Sequence, residues 1–194
     1  MPNWCYNCVT LTCPTIDTYV KLVDAIQKNS LFSTFVPLTS DNDDDDDEIE
    51  IDVAYTKWGT KWEAQDIELT YSNEETLEIH AFFDSAWSPP LAFYTTLHKN
   101  QNIDITAHYH ESGMEFFGKF ERTDTSTIDE CYRYPSDIEE LEELKGVIDD
   151  DMWCFMSCEW ENLQELWEEE ENADQEIQEQ ADGLENQEDP PRQQ

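Results

Sequence analysis

Glycine is scarce in this chain, five in 194 residues, and basic side chains are scarcer still beside the acids: ten Lys and Arg stand against 47 Asp and Glu. So little glycine argues against the backbone cradles that hold phosphates, and no phosphate loop, dinucleotide fingerprint or hydrolase elbow is present. The shortage of positive charge, a net −37, sets long-range repulsion against nucleic acid and anionic lipid and favours a basic partner. No apolar run approaches a membrane span, and no apolar leader with a cleavage site is seen. The expectation is therefore a cytoplasmic protein whose six cysteines are reduced thiols. Acidic pairs are too numerous to single out a catalytic one, so no catalytic residue and no cofactor is assigned.

Aromatics are plentiful: seven Trp, eight Tyr and nine Phe argue against a wholly disordered chain. The length suits one domain with a real core and a small appendage. The charge is unevenly placed. Residues 41–52 hold nine acids and no base, and residues 136–194 hold 22 acids and two bases, which leaves only −8 for the rest. Like charges this dense stay hydrated, so 41–52 is expected to be a solvated acidic loop.

Residues 4–13 alternate as a strand, with Val9, Leu11 and Cys13 on one face and Tyr6, Cys8, Thr10 and Thr12 on the other. Ile16, Tyr19, Val20, Val23 and Ile26 then predict an amphipathic helix, and Phe32, Phe35, Val36 and Leu38 a core-anchored connection around Pro37. Strands are predicted over 67–71 and 77–83, joined by a polar hairpin, then a helix after Ser88-Pro89-Pro90 with Ser88 as its cap. Strands over 103–110 and 114–120 follow. The order is β-α-β-β-α-β plus an extra strand, an α+β fold of the ferredoxin-like shape: one antiparallel sheet with two helices on one face. No iron–sulfur cluster follows, because Cys5, Cys8 and Cys13 are three thiols in one strand.

Three stretches carry a family likeness: Met1-Pro2-Asn3-Trp4-Cys5-Tyr6-Asn7, Trp58-Gly59-Thr60-Lys61-Trp62 and Ala86-Trp87-Ser88-Pro89-Pro90. Together they resemble the YubB-type ferredoxin-like domain family, also described as phage Api-type, of bacteriophage and plasmid proteins. The resemblance covers about residues 1–122 and implies a fold, not a reaction. The acidic run and the long acidic extension depart from it.

Several groups are candidates for function. Trp4, Trp58, Lys61, Trp62 and Trp87 are expected to converge at one end of the sheet, either as a structural corner or as a recognition pocket with Lys61 against an indole. Cys8 is placed between His80 and His108, a conceivable zinc set, against the plainer reading of a partly covered polar sheet face. In the C-terminal part Ser136-Asp-Ile-Glu139 reads as a capping box, followed by an apolar stripe of Ile138, Leu141, Leu144, Val147 and Ile148. After Asp149-Asp150-Asp151, Trp153, Met156, Trp160, Leu163 and Trp167 form a narrow seam, destined either to cover the sheet or to dock into a partner groove. The expected organisation is a sheet domain over 1–122, an acidic helical extension over 123–171 and a disordered acidic tail over 172–194.

The function these features favour is a phage- or plasmid-type accessory protein that binds a host or phage protein, possibly basic, without catalysis. Two alternatives remain beside it: an acidic mimic of nucleic acid, and a small zinc-dependent module built on the Cys/His sheet face.

Overall fold

The computed structural model describes residues 3–38 and 47–185. It divides into two compact units, residues 1–134 and 135–194. The first is built on β1 (Trp4–Thr12), α1 (Ile16–Gln27), α2 (Leu31–Phe35), α3 (Asp47–Trp58), β2 (Gln65–Asn73), β3 (Glu78–Ala86), α4 (Leu91–Gln101), β4 (Asp104–Glu111), β5 (Phe116–Arg122) and β6 (Thr127–Arg133).

The six strands form one antiparallel sheet in the order β2-β3-β1-β4-β5-β6. In β1, β3 and β4 the apolar side chains fall at every second position, which is the period that puts them on one face. Register then stacks them in rows: Leu11 lies beside Ile79 and Ile105, and Val9 beside Ala81 and Ala107. The core grows from these rows through Phe83, Tyr109 and Phe120 into Leu22 and Ile26 of α1, Phe32 of α2, Ala54 of α3, and Phe93, Tyr94 and Leu97 of α4. Rings set the packing: Phe32 lies 4.6 Å from Phe93, and Tyr94 lies 5.5 Å from Phe120.

Several expectations are corrected. Among the described residues four helices contribute to this core, not the two expected, because the stretches that form α2 and α3 read as irregular connections. Within the supposed acidic loop, residues 47–52 are the start of α3. Acids suit that end of a helix, where they meet the positive end of its dipole, and one turn apart Ala54 and Trp58 supply the buried edge that anchors it. Residues 41–46 lie outside the described residues.

On α1 the buried positions are Tyr19, Leu22, Ala25 and Ile26, whereas Ile16 and Val20 are about half exposed, 47% and 55%. The true stripe is rotated toward Leu22 and Ala25. Ser88 does not cap α4, which starts without a side-chain cap; its hydroxyl donates to the Gly59 carbonyl at 2.7 Å. The sheet unit also runs past 122, because β6 pairs with β5 along its length. Asp129, Glu130 and Arg133 hide that strand from a hydropathy reading, and charged residues are what an edge strand carries.

The second unit contains α5 (Ile138–Leu144), α6 (Asp150–Phe155) and α7 (Ser157–Glu185). The cap of α5 is Asp137, one residue later than expected: its carboxylate accepts the Glu140 N–H at 2.9 Å, while Glu140 reaches back to the Ser136 N–H at 2.8 Å. Asp149 caps α6 by accepting the Met152 N–H at 2.8 Å. Leu141, Ile148, Met152, Met156 and Trp160 are buried, and Ile138 and Val147 are exposed. Helix α7 continues to Glu185, through the stretch expected to be disordered from 172. Its Glu, Gln and Ala residues are strong helix formers and no Gly or Pro interrupts them before Gly183. Residues 186–194 lie outside the described ones.

Candidate functional site

The Trp58–Trp62 segment divides into an inward half and an outward half. Trp58 is buried against Phe32, with ring centroids 5.5 Å apart, and its indole N–H donates to the Val36 carbonyl at 2.7 Å. Gly59 follows with φ +85°, a conformation that favours glycine, and its Cα lies so close to the start of α4 that a Cβ would stand 3.2 Å from the Ala92 and Leu91 nitrogens. Thr60 is fully buried and donates to the Ala86 carbonyl at 2.7 Å. Trp58 thus ties the end of α3 to α2, and Gly59 and Thr60 tie it to the β3–α4 connection.

Lys61 and Trp62 belong to the outward half. Trp62 is 39% exposed, and 6.0 Å from its ring centroid is that of Trp4, which is 40% exposed. The Lys61 ammonium stands 5.0 Å from the Trp62 ring, close enough for a cation–π contact. Beside this pair is a cleft of about 390 Å³, lined by Leu38, Ile51, Ala54, Trp58, Lys61, Trp62 and Glu63. Glu63 has another task, since its two carboxylate oxygens accept the N–H groups of Phe32 at 2.6 Å and Ser33 at 2.8 Å. That ties α2 to the residue that follows Trp62. Trp87 joins the corner through its backbone, donating its N–H to the Asn3 carbonyl at 2.9 Å at a left-handed φ of 71°. The structure thus brings Trp4, Lys61 and Trp62 together at the surface and uses Trp58 for the core.

Behind this corner lies a polar group that composition did not single out. Asn7 is fully buried, and its amide donates to the Cys5 carbonyl at 2.8 Å, the Phe83 carbonyl at 3.3 Å and the Ser85 hydroxyl at 2.9 Å. The Tyr94 hydroxyl donates to its Oδ1 at 3.3 Å. A polar residue on the apolar face of β1 was the available signal. With its amide and carbonyl both engaged, Asn7 pins strand to helix. Burial drives the Cys5 thiol far above its ordinary range, against the opposing hydrogen bond from Ser85, and raises Tyr94 as well. These groups stay neutral and unreactive.

The Cys/His set is not assembled as expected. Cys8 lies across from His108 on one side, but on the other it faces Phe82, and His80 lies across from Thr10. The register is displaced by two residues from the one that would bring both histidines to the thiol. His80 is engaged elsewhere, with Nε2 2.7 Å from Glu78 and its ring 4.9 Å from Tyr71. Among the described residues no group of three His, Cys, Asp or Glu is placed to hold a metal ion. All six cysteines are free thiols.

The C-terminal seam is also divided. Met156 and Trp160 are buried, and Trp160 packs against the half-buried Trp153 with centroids 5.9 Å apart. The Lys145 ammonium lies 5.3 Å from the Trp153 ring. Leu163 and Trp167 remain half-buried.

A segment that runs from the end of α3 through the sheet and into the acidic helices decides what the chain is similar to. Residues 57–151 match the family model of the ferredoxin-like domain in Api92-like protein. Two of the three Trp-containing motifs, Trp58–Trp62 and Ala86–Pro90, lie inside that segment, and the first lies before it. Among solved structures, the crystal structure of a protein api92 from Yersinia pseudotuberculosis is similar at 21% identity and a TM-score of 0.34, over 45% of this chain. The chain spans about a third, 31%, of that protein's length. No curated protein matches. The Api92-like likeness brings a ferredoxin-like fold and no reaction.

Proposed function

We propose that the protein is a non-enzymatic binding module that engages another protein through the Trp4–Lys61–Trp62 edge of its sheet unit. The observation that carries this reading is the pair of indoles held 6.0 Å apart, each about two-fifths exposed, of which Trp62 also lines a cleft with Lys61. Clustered exposed Trp rings on a rigid support are typical anchors of protein interfaces. A net charge of −37 favours a partner with basic surface around the contact. The setting we propose, on the strength of the three motifs, is that of a phage- or plasmid-type accessory protein working in the cytoplasm of its host.

Affinity capture from host lysate tests it. The double variant Trp4→Ala/Trp62→Ala keeps the fold, as read by circular dichroism, and loses the partner that the native chain retains. Undiminished capture by the folded double variant sinks the reading.

One observation favours a second reading, mimicry of nucleic acid. Such mimicry needs carboxylates on a rigid support, and α7 carries Glu159, Glu161, Glu165, Glu168, Glu169 and Glu170 on one continuous helix. Partners captured under this reading are nucleic-acid-binding proteins released by modest salt and displaced by duplex DNA or RNA.

A further inference from the structure

Within the C-terminal unit, α5 and α7 flank a groove of about 460 Å³, lined by Ser136, Asp137, Ile138, Gln164, Trp167, Glu168 and Glu170. Ile138 and Trp167 are its apolar members. Ile138 is 49% exposed although it opens the helix whose next apolar residue, Leu141, is buried. Trp167 is only half-buried. Around them stand carboxylates: Glu168 and Glu170 are exposed on α7, and Asp137 stands at the start of α5. Two of these three carboxylates stand on the α7 side.

The volume is that of a side-chain or ligand pocket, and its chemistry selects among occupants. A second copy of this chain would bring a surface of the same sign, because residues 136–194 carry 22 acids against Lys145 and Arg192 alone. An acidic or neutral segment gains nothing from the rim. A segment with Lys or Arg flanking one bulky apolar residue satisfies both parts, placing its apolar side chain between Ile138 and Trp167 and its cations toward Glu168 and Glu170.

We propose that the α5–α7 groove is a docking site for a basic, single-anchor segment of a partner protein, with Trp167 and Ile138 as the apolar clamp and Glu168 and Glu170 as the charge rim. The site lies in a different unit from Trp4 and Trp62 and stands or falls separately from that edge.

Titration calorimetry on the full chain tests it with three synthetic peptides: one Lys/Arg-rich with a central Trp, the same peptide with Ala at the anchor, and the same with Glu in place of every base. The first binds saturably, and the Ala version binds roughly tenfold more weakly or worse, the scale of losing a hot-spot anchor. The acidic version does not bind. Trp167→Ala reduces binding of the first peptide by a similar factor, and Trp62→Ala leaves it unchanged, which separates this groove from the Trp4–Trp62 edge. Should Trp167→Ala disturb folding, Glu168→Lys/Glu170→Lys alters only exposed positions and gives the same loss. Equal binding of the Trp and Ala peptides would show plain charge attraction and overturn the proposal. So would binding indifferent to Trp167 and to the rim, or concentration-dependent self-association blocked by the peptide.

Discussion

The Trp58 indole N–H donates to the Val36 carbonyl at 2.7 Å, joining the last residue of α3 to the residue that ends α2. Both are buried, so the bond is made where water cannot replace it. It closes the excursion between the two helices and places Lys61 and Trp62 just beyond its anchor.

Trp58→Phe keeps most of the packing but leaves the Val36 carbonyl without this donor, at a cost of about 1–3 kcal/mol. Trp58→Ala also empties the space beside Phe32 and costs about 3–5 kcal/mol. The urea midpoint measures both. Equal stability of Trp58→Phe and the native chain would show that the bond contributes nothing.

Gly59→Ala strains a φ of +85° and pushes a methyl toward the first residues of α4. The expected loss is about 1–3 kcal/mol. Lys61→Ala, two residues on, leaves thermal stability within about 0.5 kcal/mol, because it removes only a surface contact. A comparison of the two melting curves checks that the inward and outward halves of the segment are independent.

Gly118→Ala strikes the β5–β6 edge. A Cβ there would lie 2.3 Å from the Glu130 carbonyl and 2.4 Å from the Tyr109 hydroxyl, which reaches past Gly118 to donate to that carbonyl at 3.2 Å. Overpacking of this kind costs about 1–3 kcal/mol. Hydrogen exchange should show β6 amides losing protection before those of β1. Adding Tyr109→Phe does not rescue the variant, since the Glu130 carbonyl still blocks the methyl.

Thiol reactivity should sort by burial. Cys131, Cys154 and Cys158 are exposed and react with a disulfide reagent in the native state, whereas Cys5 and Cys13 are buried and react on unfolding. Burial pushes the Cys13 thiol from its ordinary 9.0 up to about 11. The folded chain therefore keeps a proton that the unfolded chain releases. The associated stability is fully present below pH 9.0 and is lost as pH rises toward 11. Cys5, shifted upward by burial, acts in the same direction. Urea midpoints across that window fall for the native chain and fall less steeply for Cys13→Ala.

Where one face of an element is dry and the other is not, the sequence was legible. Strands β1, β3 and β4 alternate because their odd positions enter the core, and the period survives even with Asn7 among them. The period of α1 predicts its helix but not its buried stripe, since Ile16 and Val20 are apolar residues left outside the contact and Ala25 is a small one inside it. The start of α3 was hidden by acids that stabilise a helix N-terminus yet resemble a solvated loop. Register was the hardest quantity: moving a strand two residues along its neighbour preserves every face, so alternation alone could not tell that Cys8 lies across from Phe82 and not His80. Of the Trp corner, the residues were legible and their division was not. Whether an indole points inward depends on Val36, Ala86 and α4, all distant in the chain.

Strand β1 occupies an inner place in the sheet, yet its partners arrive late in the chain: Thr12 pairs with Glu78 and Tyr6 with His110. Neither neighbour exists when β1 is synthesised, so both of its hydrogen-bonding edges wait until most of the sheet unit has been made. Closing such long loops before any reward places folding at the slow end for domains of this size, in roughly milliseconds to seconds. During that wait Val9 and Leu11 are an unpaired apolar strand, and the acid-rich segments that follow give the nascent chain a charge that keeps two such strands on neighbouring copies apart.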